Sequence, residues 1–294
     1  MDINIFDISF VIQGPILSET NENLNIIRKN FPNSTIILST WETDFYNKID
    51  LSNYNEVVLN KDPGFKPFPI GNLNRQIIST INGIARVKTK YVVKLRTDTI
   101  IYNSSFLNYY KNNISKYNVF ENSILILSIY AKDPSKWQVL FHISDMFFFG
   151  LTNDLRNLFK IPLANDEFLT PEQYIFTRYL KMINRASISN MYELTFLKIL
   201  KSELYISNSF IIVDYNQQNF LQVSVEKQRL FYLSIFKKPF YDLYNNKTLN
   251  KLKINKLYLF FRAIRIYILH FVNYKCKKII SLKIFKSIYK IFKN

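Results

Sequence analysis

Alternating strand and helix signals in the first hundred residues constrain the fold of this chain most strongly. Residues 21–31 and 72–86 carry apolar positions close to helical spacing. Around them lie short apolar runs rich in β-branched residues, at residues 8–12 (ISFVI), 35–38 (TIIL), 56–59 (EVVL) and 91–95 (YVVKL). Strands that alternate with helices are typical of βαβ units, which form parallel sheets. The pattern therefore predicts an α/β fold: a mostly parallel, Rossmann-type sheet flanked by helices.

The same pattern predicts where a ligand would bind. In parallel sheets of this kind, ligands bind beyond the carboxyl ends of the strands. The segments that follow the four predicted strands are residues 13–15, 40–43, 62–64 and 96–99. We expect the residues of a functional site in these segments.

The rest of the chain divides into two parts. Further strands are predicted at residues 123–130, 145–150 and 207–213, and helices at 153–159 and 171–183, where Pro171 suits a first helical turn. From about residue 217 onward the pattern is helical, and the last stretch is amphipathic with lysines three or four residues apart. The predicted domains are a strand–helix domain over residues 1–216 and a basic helical region over residues 217–294.

The positive charge of the chain is concentrated in its last part. The net charge of the 294 residues is +17, but residues 247–294 contain 13 Lys or Arg and no Asp or Glu. The remaining 246 residues carry 26 basic and 22 acidic side chains, a net charge of +4. Such a tail indicates an anionic partner, either lipid headgroups or nucleic acid. Because its lysines alternate with Ile, Phe and Tyr at helical spacing, the tail favours a membrane surface over nucleic acid.

Several classes of protein are excluded or disfavoured by composition. The single cysteine, Cys276, excludes an intramolecular disulfide framework and a cysteine-rich zinc site. No signal peptide is visible at the start of the chain. The best candidate for a membrane span, residues 257–274, carries Arg262 and Arg265 near its centre, where charges are costly in hydrocarbon. We therefore expect a cytoplasmic protein that lies on a membrane.

The segment with the clearest chemical content is residues 72–99, in which a helix leads into an apolar strand that ends in Arg96-Thr97-Asp98-Thr99. An acid at the carboxyl end of a buried strand can hold a diphosphate-bound metal ion. A hard cation there would offset the charge that builds on a diphosphate leaving group. Asp98 at a strand end can equally cap the next turn, and the residues alone leave both roles open.

Seven collinear runs resemble the WavE family, over roughly residues 8–180. They are SFVIQGPI (9–16), IILSTWE (36–42), DPG (62–64), NLNRQIIST (72–80), TKYVVKLRTD (89–98), FHISDMFFFG (141–150) and TPEQY (170–174). Proteins of this family are associated with bacterial lipopolysaccharide synthesis and resemble GT-A glycosyltransferases. The resemblance implies sugar transfer from a nucleotide-sugar donor to a lipopolysaccharide, lipooligosaccharide or capsular glycan, by an enzyme on the cytoplasmic face of the inner membrane.

The resemblance also implies a donor-binding set. Its members are Gln13, Gly14, Pro15, Trp41, Asp62, Asn74, Arg75, Arg96 and Asp98. Gly14 would allow close backbone approach, and the Gln13 amide offers both donors and acceptors to a base edge. Trp41 can stack on the nucleoside, but a place in the apolar core is an equal alternative for it.

One departure from the wider GT-A pattern concerns the metal. Those enzymes usually carry Asp-x-Asp, whereas position 96 here is Arg and position 100 is Ile. Asp98 alone remains as a candidate ligand for a divalent cation, Mn²⁺ or Mg²⁺. Arg96 and Arg75 can neutralise phosphate instead, because a guanidinium matches phosphate geometry bidentately. A salt bridge between Arg96 and Asp98 is the alternative when no donor is bound.

The acceptor side needs a base, because the acceptor hydroxyl must lose its proton as it attacks the sugar. The resemblance makes Glu172 the first candidate and Asp166 the second, and it places His142 and Asp145 on the acceptor side. Glu172 also starts a predicted helix, where a carboxylate is favourable through capping and the helix dipole. A candidate base without an evident covalent nucleophile favours inversion. The alternatives to an enzyme are a non-catalytic membrane-peripheral protein and a nucleic-acid-binding protein that uses the basic tail.

Overall fold

The structure is a computed structural model that describes residues 3–44, 51–114, 119–132, 139–165, 169–189, 195–216 and 218–223, together with residues 134, 193 and 264. The basic segment 247–294 lies outside these residues except for Ile264, and so does the candidate base Asp166. Among the described residues, no helix is both long enough and apolar enough to cross a bilayer.

A seven-stranded, mostly parallel sheet forms the centre of the described fold. Its strands in spatial order are β3 (Glu56–Asn60), β2 (Thr35–Trp41), β1 (Ile8–Gln13), β4 (Tyr91–Arg96), β7 (Phe148–Leu151), β6 (Ile124–Leu127) and β8 (Phe210–Val213). Only β7 runs antiparallel to its neighbours β4 and β6. Two short strands, β5 (Thr99–Ile101) and β9 (Leu221–Val223), pair separately. The sheet confirms the predicted α/β fold.

Six helices in the described part of the chain accompany this sheet. They are α1 (Thr20–Asn30), α2 (Leu73–Ala85), α3 (Phe106–Asn113), α4 (Thr152–Phe159), α5 (Pro171–Met182) and α6 (Phe196–Ser209). Side chains alternate along β1, so that Val11 joins one apolar cluster and Phe10 and Ile12 join another. Helix α2 crosses β1 closely, because a Cβ at Gly83 would lie only 2.5 Å from a Val11 methyl carbon. This close approach holds the last turn of α2 against the sheet, and the first turn lies at the carboxyl ends of the strands, where Arg75 and Gln76 line a pocket.

The structure corrects four of the predicted elements. The strand predicted at residues 145–150 spans Phe148–Leu151 instead. Residues 128–130 do not continue the predicted strand but form a turn, in which Tyr130 has a φ of 62°. Residues 207–209 belong to the end of α6, so the last predicted strand is limited to Phe210–Val213. Residues 221–223, which the helical pattern included, form β9 because they pair with β5, more than a hundred residues earlier in the chain. The domain boundary at residue 216 stays a prediction.

Candidate active site

A pocket of about 480 Å³ opens where the carboxyl ends of β1, β2 and β4 meet the first turns of α2 and α5. Its position agrees with the prediction that a ligand site lies beyond these strand ends. The lining residues are Gln13, Gly14, Pro15, Leu17, Trp41, Thr43, Asp44, Asp62, Asn72, Arg75, Gln76, Arg96, Thr97, Asp98, Asp145, Pro171 and Glu172.

The end of β1 is held tightly against the end of β4. Gly14 has a φ of 131°, and a Cβ there would lie 3.0 Å from the Thr97 hydroxyl, so the position requires glycine. The Thr97 amide donates to the Gln13 carbonyl at 3.1 Å. The Gln13 side chain is buried and its oxygen accepts a hydrogen bond from the Ser79 hydroxyl at 2.6 Å. The amide nitrogen of Gln13 is the group that remains for a ligand.

One Arg–Asp pair lies at the open side of the pocket. Arg75 donates from Nε and Nη2 to the two Asp62 oxygens at 2.7 Å and 2.6 Å, and from Nη1 to Asn72 at 3.0 Å. The guanidinium lowers the pKa of Asp62 through these hydrogen bonds. Both side chains are about one third exposed, so water competes for both partners. An incoming anion can therefore exchange with Asp62 at low cost.

A second Arg–Asp pair has a better buried carboxylate, since the side chain of Asp98 is 11% exposed and that of Asp62 is 30% exposed. Arg96, at the end of β4, donates from Nε and Nη2 to the two Asp98 oxygens at 2.9 Å and 2.5 Å. Burial by itself would lower the pKa of Arg96, but the charge of Asp98, its hydrogen bonds and the charge of Asp145 together outweigh burial, and the pKa is raised. The salt bridge between Arg96 and Asp98, which sequence reasoning left as an alternative, is therefore present in the structure.

The described part of the chain shows no ligand cluster around the predicted metal ligand, Asp98. Among the described residues, no three His, Cys, Asp or Glu side chains come together to hold an ion. Asp98 is the predicted ligand, and both of its oxygens accept hydrogen bonds from Arg96. A cation at Asp98 would have to displace a bidentate guanidinium.

The opposite wall of the pocket contains carboxylates with little access to water. Glu172 lies in the first turn of α5, and burial, followed by the negative charge of Asp145, raises its pKa to about 7. Asp145 is buried, and its carboxylate accepts a hydrogen bond from Gln76 at 3.1 Å. A group with a pKa near 7 can take up and release a proton at neutral pH.

His142 lies behind Glu172 rather than in the pocket. Its Nε2 is 3.8 Å from a Glu172 oxygen, and the side chain is buried. Burial, with a smaller contribution from Lys132, lowers the pKa of His142 to about 3. The imidazole is therefore neutral at pH 7, and it contributes a polar but uncharged neighbour to Glu172. It does not contact the pocket directly, as the predicted acceptor-side role would require.

Most of the predicted site residues line this one pocket, and their roles stay predictions. They are Gln13, Gly14, Pro15, Trp41, Asp62, Arg75, Arg96, Asp98, Asp145 and Glu172. Trp41 is 5% exposed, so it belongs both to the core and to the pocket wall. Asn74 does not line the pocket, because it binds the backbone N–H and C=O of Ala164 at 2.7 Å and 2.8 Å.

Sequence reasoning missed the polar pocket residues Asp44, Asn72 and Gln76, and it included Thr43 and Thr97 only as members of the predicted segments 40–43 and 96–99. Asn72, Gln76 and Thr97 are neighbours of residues that were singled out, in the same matched runs. The spacing of Asn72 and Gln76 could have identified them. Asn72 is the N-cap of α2, and Gln76 follows one helical turn later, with Arg75 on the same side of the helix. A search for polar residues on the helix face that meets the strand ends would have found them.

Comparison with protein families agrees with this arrangement. A family model described as WavE lipopolysaccharide synthesis matches residues 8–226, about three quarters of the chain. The match includes every strand of the sheet and every described residue of the pocket. The chain therefore belongs to the WavE lipopolysaccharide synthesis family. No curated protein matches the chain.

Proposed function

We propose that this member of the WavE family is a glycosyltransferase that moves a sugar from a nucleotide-sugar donor to a lipopolysaccharide, lipooligosaccharide or capsular glycan. One observation carries the proposal: the pocket combines two Arg–Asp pairs with a separate pair of carboxylates, the buried Asp145 and the partly buried Glu172. Guanidiniums suit the phosphates of a donor. Carboxylates suit sugar hydroxyls, from which they accept hydrogen bonds. The expected ligand is therefore a molecule that contains both phosphates and a sugar.

The donor phosphates would bind by partner exchange. Arg75 and Arg96 are held by Asp62 and Asp98, and each can transfer its paired N–H donors to phosphate oxygens. Negative charge then builds on the leaving phosphate beside a guanidinium whose position is already fixed, which favours the transition state. In this account the two arginines perform the neutralisation that a metal ion performs in Asp-x-Asp enzymes.

Glu172 is the proposed general base, in a single displacement. The acceptor oxygen forms a bond to the anomeric carbon as the bond from that carbon to the donor phosphate breaks. The electron pair of the broken bond leaves with the nucleotide, and Glu172 takes the hydroxyl proton. A pKa of about 7 leaves a substantial fraction of Glu172 ionised at neutral pH while keeping it a useful base. A single displacement of this kind inverts the anomeric centre. The second candidate base, Asp166, stays a prediction.

Slow release of free nucleotide from a donor panel would test the proposal. We expect the full chain to release nucleotide from at least one of a set of UDP-, GDP- and CMP-sugars. Asp98→Ala should lower this rate strongly while the protein stays folded, because Arg96 loses the group that orients it. EDTA should leave the wild-type rate unchanged. Wild-type turnover in Asp98→Ala would contradict the donor-site assignment. Full inhibition by EDTA would show that the reaction requires a divalent cation.

The basic segment 247–294 is the proposed attachment to an anionic membrane, on the cytoplasmic face of the inner membrane. The proposal rests on its 13 basic and no acidic residues, since each Lys or Arg near an anionic surface contributes about 1 kcal/mol. A chain that ends at residue 246 should lose binding to anionic vesicles but keep nucleotide release in solution. Vesicle flotation beside a DNA filter-binding assay checks this. Flotation of the truncated chain, or preferential binding of the full chain to DNA, would contradict it.

A further inference from the structure

The proposed chemistry does not use Lys94, a buried lysine that lies under the pocket. Lys94 is in the middle of β4, between Val11 of β1 and Phe148 of β7, and its side chain is completely buried. Its Nζ is 5.4 Å and 5.9 Å from the ring centroids of Phe148 and Phe159. Burying an ammonium group among apolar side chains is costly unless strong partners compensate. The reason for a lysine here must therefore lie in what its nitrogen holds.

The nitrogen of Lys94 holds the backbone of a pocket residue. Nζ donates to the carbonyl oxygen of Asp145 at 2.6 Å. Gln76 donates to the same carbonyl at 3.3 Å and to the Asp145 carboxylate at 3.1 Å. Asp145 and Gln76 line the pocket, whereas Lys94 does not. Two donors on different elements, β4 and α2, thus fix the loop before β7 at the residue whose carboxylate faces the ligand.

We propose that Lys94 is a positioning residue, which together with Gln76 holds Asp145 so that its carboxylate can bind a hydroxyl of the acceptor sugar beside Glu172. This inference rests on the proposed glycosyltransferase function and assigns a task within it. Asp145 accepts a hydrogen bond from the acceptor and thereby orients the hydroxyl that Glu172 deprotonates. Small displacements of such orienting groups reduce rates strongly, because catalysis depends on the alignment of the reacting atoms.

The cost of the buried lysine distinguishes this role from packing. Burial lowers the pKa of Lys94 to about 7, although the charges of Asp145 and Asp98 act to raise it; Arg96 acts in the same direction as burial. The folded state thus disfavours the ammonium that the unfolded chain carries up to about pH 10.5. The wild type is therefore destabilised at pH 7 and regains that stability as the pH rises from about 7 toward 10.5. A residue needed only for packing would not carry this penalty.

Lys94→Met separates the two roles. Methionine has a similar length and fits between the rings, but it offers neither charge nor donor. We expect the variant to fold and to have a Tm at pH 7 equal to or above that of the wild type. The gain in stability that Lys94 gives the wild type between about pH 7 and 10.5 should be absent from the variant. Its kcat should fall about 10- to 100-fold, with nucleotide affinity within about twofold of wild type. The matched control is Lys90→Met, at an exposed lysine just before β4, which should change neither kcat nor affinity.

A double-mutant cycle decides whether Lys94 acts through Asp145. Lys94→Met should cost nothing further in an Asp145→Asn background, because the group that it positions is already disabled. Gln76→Met serves as a second variant if Lys94→Met does not fold, and it should give the same loss of kcat. Equal kcat in Lys94→Met and wild type, or an additive loss in the double variant, would overturn the positioning role alone. A wild type that turns over no donor would overturn the proposed function, and the role of Lys94 with it.

Discussion

The two sides of the pocket hold their charges in different ways. On the side of β3, β4 and α2, each arginine is paired with an aspartate through two hydrogen bonds, at Arg75–Asp62 and Arg96–Asp98. On the side of α5 and the loop before β7, Asp145 is buried and Glu172 is partly buried, and burial raises the pKa of Glu172 to about 7. On the first side each positive charge is paired with a negative one, whereas on the second side Glu172 can gain or lose a proton near neutral pH.

This difference separates two kinds of chemistry. Paired charges can bind an anion by exchanging partners, with no change of protonation. Groups with a pKa near 7 can move a proton, which is what the attack of an acceptor hydroxyl requires. The comparison thus assigns the leaving phosphate to the first side and the attacking hydroxyl to the second. Variants on the two sides should differ in what they affect: nucleotide affinity together with turnover on the first side, and turnover alone on the second.

Glu172→Gln should give the largest effect and should affect turnover alone. Glutamine keeps the size of the side chain but cannot accept the proton, so we expect kcat to fall about 10²- to 10⁴-fold. Nucleotide affinity should stay within about twofold, because the arginine pairs are untouched. Nucleotide release and a separate nucleotide titration measure the two quantities.

The matched control for this prediction is Glu22→Gln. Glu22 is an exposed acid in the first turn of α1, as Glu172 is in α5, and it lies outside the pocket. A role for Glu172 limited to the helix dipole would make the two substitutions equivalent. An unchanged kcat in Glu172→Gln would remove the proton-transfer side of the comparison.

The pH dependence of stability gives a smaller effect of defined sign. The folded state raises the pKa of Glu172 from 4.5 to about 7, so its ionisation opposes folding. The penalty is absent below about pH 4.5, grows as the pH rises through the window up to 7, and is complete above it. Glu172→Gln should therefore gain about 1–2 kcal/mol relative to the wild type between pH 5 and 8, after allowance for partial exposure. Urea unfolding at both pH values measures this. If the difference in the free energy of unfolding between Glu172→Gln and the wild type were the same at pH 5 and pH 8, the raised pKa of Glu172 would be contradicted.

The parallel half of the sheet could be predicted from sequence because its signals are local. The runs at β1 to β4 are β-branched, and polar residues end each of them, so strand, turn and helix follow from neighbouring residues. Strands β5 and β9 have three residues each, and Thr99 pairs with Val223. No local pattern specifies a pairing over that distance, which is why β5 was not predicted and β9 was assigned to a helix.

In the site, too, contacts between residues far apart in the sequence could not be predicted. The Arg96–Asp98 pair could be anticipated, because the two residues are two positions apart. The Arg75–Asp62 pair could not, since it joins a loop to a helix. Lys94 gave no signal as a site residue, because its burial depends on Phe148 and Phe159 from a distant part of the chain. Asn74 was predicted to bind the donor, but its amide is used to hold Ala164.

The most direct test of the account is a thermal-shift titration with UDP, GDP and CMP, with and without Mn²⁺, on the wild type, Arg96→Met and Arg86→Met. Arg86 is the matched control, since it is paired with Glu56 at the other end of α2, outside the pocket. At a hundredfold excess over Kd, binding adds about 2.7 kcal/mol, a Tm rise of about 5–10 °C. The account predicts this rise for at least one nucleotide without Mn²⁺, in the wild type and in Arg86→Met. Arg96→Met should lose most of it, because a bidentate contact to phosphate is worth about 1.5–3 kcal/mol. No rise with any nucleotide, or an equal rise in Arg96→Met, would contradict the assignment of this pocket to a nucleotide-sugar donor.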